Sequence, residues 1–550
     1  MKSNDTIRWL WKVTGKKKGY ILALTVFQSL SGFLGVVYAL LLRVIVDSAV
    51  GKDIAAFRGN VSLIAGLVLL QLGVSALVRH IQELARADIE NGFKKRLTDN
   101  ILHKDYASVS AVHTAEWLNR LTNDTAVVAG GTVEILPGLT GMVVRLVSAL
   151  IMIIVLDRWF AFILIPGGVA LIFLTYAFRR VLKRLHKNIQ ESDGRLRVFL
   201  QERISNLLVL KAFSAENDTE YGAAQAMADH KKERLRRNHF HNLANIGFGV
   251  AIQGMYLLGA VYCAHGIITG RVTYGTLTAV MQLIGQVQGP FSNISGYLPK
   301  WYAMIASSER LMEIEAFEDD GLSADRESMH RYYEREFHVL GLRDASFRYR
   351  PDGDETMPVV MDGFDLEIHK GETLAFTGHS GCGKSTVLKL LMCLYSLDSG
   401  ERYIDDRPLT AGFRRLFAYV PQGNALMNGT IRDVVCFAEP FDEDRMKRAL
   451  TIACADKFVD DVDLKLGERG SGLSEGQLQR LSIARAIYSD APILLLDEAT
   501  NALDEGTEKR LLDNLRRMTD KTVVIVTHRK AALSICDRVV EFSDSTMRKI

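Results

Sequence analysis

Hydrophobic positions are distributed unevenly along this chain. Six apolar runs lie near residues 19–46, 59–79, 137–156, 159–178, 244–267 and 275–298. A helix needs roughly 20 apolar residues to cross the hydrocarbon core of a bilayer, and each run approaches or exceeds that length. Only Asp157 and Arg158 separate runs three and four, and a short Gly/Thr segment around 270–273 separates runs five and six. Both pairs are therefore expected to be helical hairpins. The connections after runs two and four are long, polar and helical in pattern. One carries Arg79, Lys94, Lys95 and Arg96, the other Arg179, Arg180, Lys183 and Arg184. The excess of basic residues places both connections on the cytoplasmic side, together with the N-terminal segment bearing Lys12, Lys16, Lys17 and Lys18. An even number of spans returns the C-terminal half to the same side.

The pattern changes after residue 315. An acidic, irregular stretch at 318–325 reads as a boundary, and strand-like runs begin near His338. They continue through Phe347 and Tyr349 and, after a Pro/Gly/Asp turn at 351–354, through Val359 and Val360. The expected organisation is a membrane domain at 1–315, a linker at 316–336 and an α/β domain at 337–550. Composition agrees with a divided chain: 550 residues are 48% hydrophobic, and a mean hydropathy of +0.07 averages two unlike halves. A net charge of +3 is too small to argue for a nucleic-acid partner. Six cysteines lack metal-ligand spacing and read as reduced thiols, and no cleavable leader is expected ahead of run one.

Chemistry concentrates in the second half. Gly378, His379, Ser380, Gly381, Cys382, Gly383, Lys384, Ser385 and Thr386 fit G-x-x-x-x-G-K-[ST] between an apolar strand at 373–376 and an apolar helical stretch at 387–391. Glycines let the backbone wrap an anion, and the helix start adds its positive end. Lys384 is placed to reach the β- and γ-phosphates of a nucleotide, and the Ser385 hydroxyl to ligate Mg²⁺. Further on, an apolar strand at 493–496 ends in Asp497 and Glu498. A carboxylate at the end of a parallel strand beside a phosphate loop suits Mg²⁺, and the adjacent Glu498 can polarise an attacking water. Another apolar strand, 522–526, leads to His528 at the same sheet edge. Cys382 sits at a helix start and is expected to react with alkylating agents, although a small space-filling role would also suit it.

In this order the motifs resemble those of ATP-binding cassette transporters of the exporter type, six spans followed by one nucleotide-binding domain, over nearly the whole chain. The implied fold is an all-α six-helix transmembrane domain followed by an α/β P-loop nucleoside triphosphatase domain. The resemblance assigns Tyr349 to adenine stacking and residues 378–386 to the phosphate loop. It makes Gln422 a Mg²⁺ contact and sensor of the membrane domain. Ser474, Gly476 and Gln477 become a signature that contacts ATP on a second subunit. Asp497 becomes the Mg²⁺ carboxylate, Glu498 the catalytic base, residues 501–504 a link between sites, and His528 the switch histidine. Segments 116–124 and 209–216 resemble the cytoplasmic regions that couple the two domains. Glu475 departs from the family signature, where glycine is usual, and Asn501 from a usual serine. The implied cofactors are ATP and Mg²⁺. The implied partners are the bilayer and a second copy, or a related half-transporter, with no nucleic acid. The expected location is the plasma (inner) membrane with the nucleotide domain in the cytoplasm. Import by the same fold stays open beside export.

Polar groups within the spans are costly and so informative. Arg145, Gln253, Gln282 and Gln286 are candidates to line a substrate path. Bonding between neighbouring helices is the alternative reading of the glutamines, and reaching the inner interface that of Arg145. Arg145 as a path residue would favour an anionic substrate group.

Overall fold

Six long helices follow the apolar pattern of the first half: α1 Lys18–Val50, α2 Ile54–His103, α3 Thr125–Leu156, α4 Arg158–Ser205, α5 Glu216–Ile268 and α6 Tyr274–Glu313. They belong to a computed structural model that describes residues 3–321, 324–350, 358–423, 426–467 and 472–543. The Pro/Gly/Asp turn at 351–354 and residues 322–323 of the acidic stretch lie outside the described residues. Among the described residues, four helical stretches are long and apolar enough to cross a membrane: Asn4–Val50, Ile54–His103, Thr114–Leu156 and Glu216–Ile268. Helices α4 and α6 run continuously through the remaining two apolar segments.

Local chemistry explains the joints. Asp157 leaves helical geometry after α3 and caps α4, accepting from the backbone N–H of Trp159 at 2.9 Å and of Phe160 at 3.2 Å. It also accepts from the Tyr262 hydroxyl at 3.0 Å, which ties the hairpin to α5. Between α5 and α6 the chain turns at Gly270, whose φ of +72° is the left-handed region that glycine occupies without strain. At the other end of α1, Asp47 accepts from the Thr273 hydroxyl and the Gly275 N–H, at 3.0 and 2.8 Å, which holds the start of α6. Helices α1 and α3 pack closely where Gly32 faces Gly141; a Cβ on Gly32 would lie 2.8 Å from the Gly141 carbonyl oxygen.

The chain divides into two units. One is Met1–Arg96 with Asn119–Met312, and the other is Leu97–Leu118 with Glu313–Ile550. The second unit therefore includes part of the first long polar connection. Segment 116–124, expected as one coupling region, is split between the units at Leu118/Asn119. The linker is also more ordered than its acidic composition suggested. It holds α7, Arg326–Arg335, capped by Asp325 and burying Met329, Tyr332 and Tyr333 against the second unit's core.

The second unit is built on two sheets. Strands β1 Val339–Arg348, β2 Val359–His369, β4 Ser399–Ile404 and β5 Arg407–Pro408 form an antiparallel sheet in the order β2-β1-β4-β5. Strands β3 Thr373–Gly378, β6 Phe417–Val420, β9 Ile493–Asp497, β10 Thr522–Val526 and β11 Arg538–Phe542 form a parallel sheet in the order β11-β3-β10-β9-β6. Short strands β7 Gly429–Thr430 and β8 Lys465–Leu466 pair beside them. The parallel strands are apolar on both faces because both faces are covered. Ile493 and Leu495 enter one core with Val524 and Val526, while Leu494 and Leu496 enter the other with Val523 and Ile525. Because the strands run parallel, the C-terminal ends of β3, β6, β9 and β10 lie at one sheet edge.

Candidate active site

The phosphate loop leaves β3 at that edge and enters α8, Lys384–Leu391. Gly378, Gly381 and Gly383 have φ of +134°, +85° and +96°. A Cβ on Gly381 would meet nothing within 4 Å, whereas one on Gly378 would strike Phe542. Lys384 is only 5% exposed. Its ammonium donates to the carbonyls of Gly378 at 2.7 Å and His379 at 2.8 Å, lying across the loop. Cys382 is 7% exposed and packed in the core, its Sγ 3.6 Å from the Lys384 Nζ. That burial argues against the expected alkylation, because the thiol is shielded and fills space.

Next to the loop, the Ser385 hydroxyl donates to Asp497 Oδ1 at 2.9 Å. The Tyr419 hydroxyl donates to Asp497 Oδ2 at 3.0 Å. Burial pushes the Asp497 carboxyl above the usual carboxylate range, opposed by these two donors and reinforced by the Glu498 charge. Burial and the Asp497 carboxylate together push the Tyr419 phenol upward, so it stays a donor. Asp497 is 1% exposed. A hydroxyl and a carboxylate side by side are hard oxygen ligands, which fits Mg²⁺. No cluster of three or more His, Cys, Asp or Glu exists among the described residues. Mg²⁺ does not require one, since it commonly takes one or two protein ligands with phosphate oxygens and water.

Glu498 follows in a strained turn. Its φ is +52°, uncommon for a residue other than glycine and worth about 1–3 kcal/mol of strain. The backbone N–H donates to the Val526 carbonyl at 3.1 Å. Its Oε2 accepts from Gln422 Nε2 at 2.8 Å and from Asn501 Nδ2 at 2.9 Å. The carboxylate is thus held at the sheet edge by groups from two different loops. Tyr349 is half-buried; its hydroxyl lies 3.1 Å from the Thr386 hydroxyl and its ring packs edge-on to Phe347 and Tyr395. His528 is exposed and makes no side-chain hydrogen bond among the described residues.

The structure does not join every expected residue. Ser474 caps α9, Glu475–Tyr488, in a capping box: its hydroxyl accepts from the Gln477 N–H at 3.3 Å, and Gln477 Oε1 accepts from the Ser474 N–H at 2.7 Å. Gly476 packs against the loop that follows Glu498, where a Cβ would lie 2.7 Å from the Ala502 oxygen. Among the described residues none of these three bonds to the phosphate loop. Glu475 is exposed at the start of α9, where an acidic side chain suits the helix dipole.

Two contributors escaped the motif reading. Tyr419 lies three residues before Gln422, on the strand adjoining β9, and only the strand order reveals it. Arg529 follows His528 and reaches the Leu503 and Asn501 carbonyls at 3.0 and 2.7 Å and the buried Glu508 carboxylate at 2.7 Å. It fixes the loop 501–503 that positions Asn501.

In the membrane unit, Arg145 lines a cavity of about 330 Å³ with Gln28, Ser31, Ser75, Arg79 and Tyr297 among its other walls. Arg79, expected at the start of the first long connection, lies on α2 and on the wall of this cavity. Gln286 donates through Nε2 to the Gly35 carbonyl, bonding α6 to α1. Gln253 and Gln282 are exposed and do not line the cavity.

Comparison with known proteins gives consistent results. The family model described as the ABC transporter transmembrane region matches residues 21–291, and the one described as ABC transporter matches 361–501. A multidrug resistance ABC transporter ATP-binding and permease protein of Lactococcus lactis is 25% identical over 497 residues, covering 88% of this chain and 82% of that protein. An ATP-dependent lipid A-core flippase of Vibrio parahaemolyticus is 23% identical over 558 residues, covering 99% and 94%. The chain spans about half the length of several other curated relatives it matches. In fold it is similar to a bacterial Atm1-family ABC exporter with ATP bound, at 20% identity and a TM-score of 0.77 over 95% of this chain and 94% of that one. The chain belongs to the ABC transporters, with the transmembrane region and the nucleotide-binding unit fused in one polypeptide.

Proposed function

We propose that this chain is one half of an ATP-driven exporter of amphipathic substrates, and that two copies assemble to complete two ATP sites. The observation that carries the reading is one sheet edge where Ser385 meets Asp497 and Gln422 meets Glu498, beside a glycine loop with a buried lysine. Tyr349 stacks on the adenine. The loop N–H groups and Lys384 bind the phosphates, for which the ammonium leaves the two loop carbonyls it now holds. Ser385, Asp497 and Gln422 would hold Mg²⁺, which would supply positive charge to the phosphates. Glu498 takes a proton from water as the water oxygen bonds to the γ-phosphorus and the bond to ADP breaks. Gln422 and Asn501 hold that carboxylate in place, and His528 contacts the γ-phosphate.

Ser474, Gly476 and Gln477 make no bond to their own phosphate loop among the described residues, which supports a role on the ATP of a second copy. The short helix Leu207–Ala212 supports a partner as well. Its Leu208 is 83% exposed and the following Phe213 is 81% exposed, beside the exposed Leu207 and Val209. The names of the relatives, multidrug resistance and lipid A-core flippase, support an amphipathic substrate moved outward. The location proposed is the plasma membrane, with the nucleotide-binding unit on the cytoplasmic side.

The test is ATP turnover by the purified protein, expressed alone, in lipid nanodiscs beside its Glu498→Gln variant. The variant should lose at least ~100-fold in rate, within the range of general-base catalysis, while still binding ATP. Equal turnover by the two proteins would sink the assignment of Glu498.

A further inference from the structure

The segment from Tyr419 to Gln422 reaches both carboxylates of the candidate active site. Gln422 holds Glu498, and Tyr419 holds Asp497, its hydroxyl donating to Oδ2 at 3.0 Å. Strand register explains the second contact. Tyr419 on β6 pairs with Leu495 on β9. Residues two apart on a strand share a face, so Tyr419, Leu495 and Asp497 point to the same side of the sheet. Strand β6 ends at Val420, opposite Leu496, and no residue of β6 pairs with Asp497. The carboxylate lies about 6.6 Å along the strands from the Tyr419 backbone, a distance that a phenol spans and an aliphatic side chain does not. The ring packs against the core cluster that contains Leu495, which steadies it while the hydroxyl reaches the sheet edge.

The two oxygens of Asp497 therefore face different elements. Oδ2 faces β6 through Tyr419, and Oδ1 faces the start of α8, where it accepts from Ser385 at 2.9 Å. Asp497 is buried, so bulk water does not replace a partner lost here. A hydroxyl has one proton and two lone pairs, so Ser385 can keep its bond to Oδ1 while its own oxygen meets a cation. Turning the carboxylate until both of its oxygens meet one ion would break the bond to Tyr419. That restriction bears on the choice of ion. Ca²⁺ is large and often takes both oxygens of one carboxylate, whereas Mg²⁺ is smaller, demands octahedral geometry and is held by few protein oxygens with phosphate and water.

We propose that Tyr419 is a positioning residue that sets the cation preference of this site: by holding Oδ2 it leaves Asp497 one oxygen to offer beside Ser385, which suits Mg²⁺ and disfavours two-oxygen binding of Ca²⁺. The proposal rests on the ATP-site reading above and deepens it. Tyr419 acts through Asp497, and a charge-assisted hydrogen bond in a site shielded from water is strong enough to do so.

Equilibrium binding of adenylyl imidodiphosphate, an ATP analogue that resists hydrolysis, to the full chain in lipid nanodiscs tests it, in EDTA, in saturating Mg²⁺ and in saturating Ca²⁺. The readout is the ratio of Kd in Ca²⁺ to Kd in Mg²⁺. Wild type should favour Mg²⁺ by roughly tenfold or more. Tyr419→Phe keeps the ring and loses only the hydroxyl, and it should cut that ratio roughly tenfold, the size of a lost hydrogen bond to a charged group. Tyr419→Leu loses packing as well; it should melt lower, yet reduce the ratio no further than Tyr419→Phe does. Affinity in EDTA reports the phosphate loop without a cation and should be the same in wild type and Tyr419→Phe, which shows that the variant is folded. An unchanged ratio in Tyr419→Phe, or equal weakening with both cations, would overturn the proposal and leave the ATP site standing. Wild type that fails to bind the analogue, or binds it no better with Mg²⁺ than with EDTA, would overturn the ATP-site reading and the proposal with it.

Discussion

The two units of this molecule solve opposite problems with charge. In the nucleotide-binding unit, charged groups at the site are tied to neighbours: Lys384 to two carbonyls, Asp497 to two hydroxyls, Glu498 to two amides. In the membrane unit one buried carboxylate, Asp124, is held as firmly. It is fully buried and accepts from Ser307 at 2.9 Å and from Arg310 at 2.7 and 2.5 Å. A π-helical turn at Arg120–Asp124 brings it there. The tethered groups of the nucleotide-binding unit stand at a site, whereas Asp124 is sealed inside the fold. A charge fixed by the fold thus serves chemistry in one unit and architecture in the other.

The first way to break this comparison is at Asp124. Arg310→Ala should leave a buried carboxylate without its cation and cost about 3–5 kcal/mol, seen as a large fall in thermal stability of the protein in nanodiscs. Stability close to wild type would mean that water reaches Asp124 and the tether is not needed.

A smaller effect, of opposite sign, is expected at Asp497. Burial raises its folded pKa, so the fold penalises the ionised form. The penalty is absent below the ordinary carboxylate pKa and fully present above the raised one. Asp497→Asn should therefore melt higher than wild type at pH 7 without nucleotide or Mg²⁺, and this gain should vanish in acid. It should also abolish ATP turnover. A variant that melts lower at neutral pH would show that the two hydroxyl bonds outweigh the cost of burial.

The smallest effect sharpens the contrast from the membrane side. Gln253 is exposed on α5 and does not line the cavity. Gln253→Leu should change stability by no more than about 0.5 kcal/mol, read from melting in nanodiscs. A marked loss of stability would show that this side chain bonds a neighbouring helix.

The units also differ in how far they can be read from sequence. The phosphate loop, Asp497 and Glu498 are legible because strand, turn and helix lie within a few residues and the chemistry follows the spacing. Tyr419 and Arg529 are not legible, because strand order brings one to Asp497 and a folded loop brings the other to Glu508. The positive φ of Glu498 leaves no mark in composition either. In the membrane unit the apolar runs are legible, but faces of helices are not. Arg79 ends an apolar run and reads as the start of a polar helical connection, and its place on the cavity wall shows only once the neighbouring helices are packed. Gln286 reads equally as path or glue until its bond to Gly35 is seen. The linker misleads in the other direction: its acidic composition hides the aromatic face of α7.

The central claim, that each ATP site is shared between two copies, is tested most directly by pairing variants. Two copies joined in tandem would carry Lys384→Ala and Gly476→Val, either in the same copy or split between the two, and nucleotide trapped per pair would be counted. Splitting them places both defects in one composite site and leaves the other intact, so the account predicts one trapped ATP per pair. Combining them in one copy damages both sites, and trapping should disappear. Equal trapping by the two arrangements would contradict the shared site.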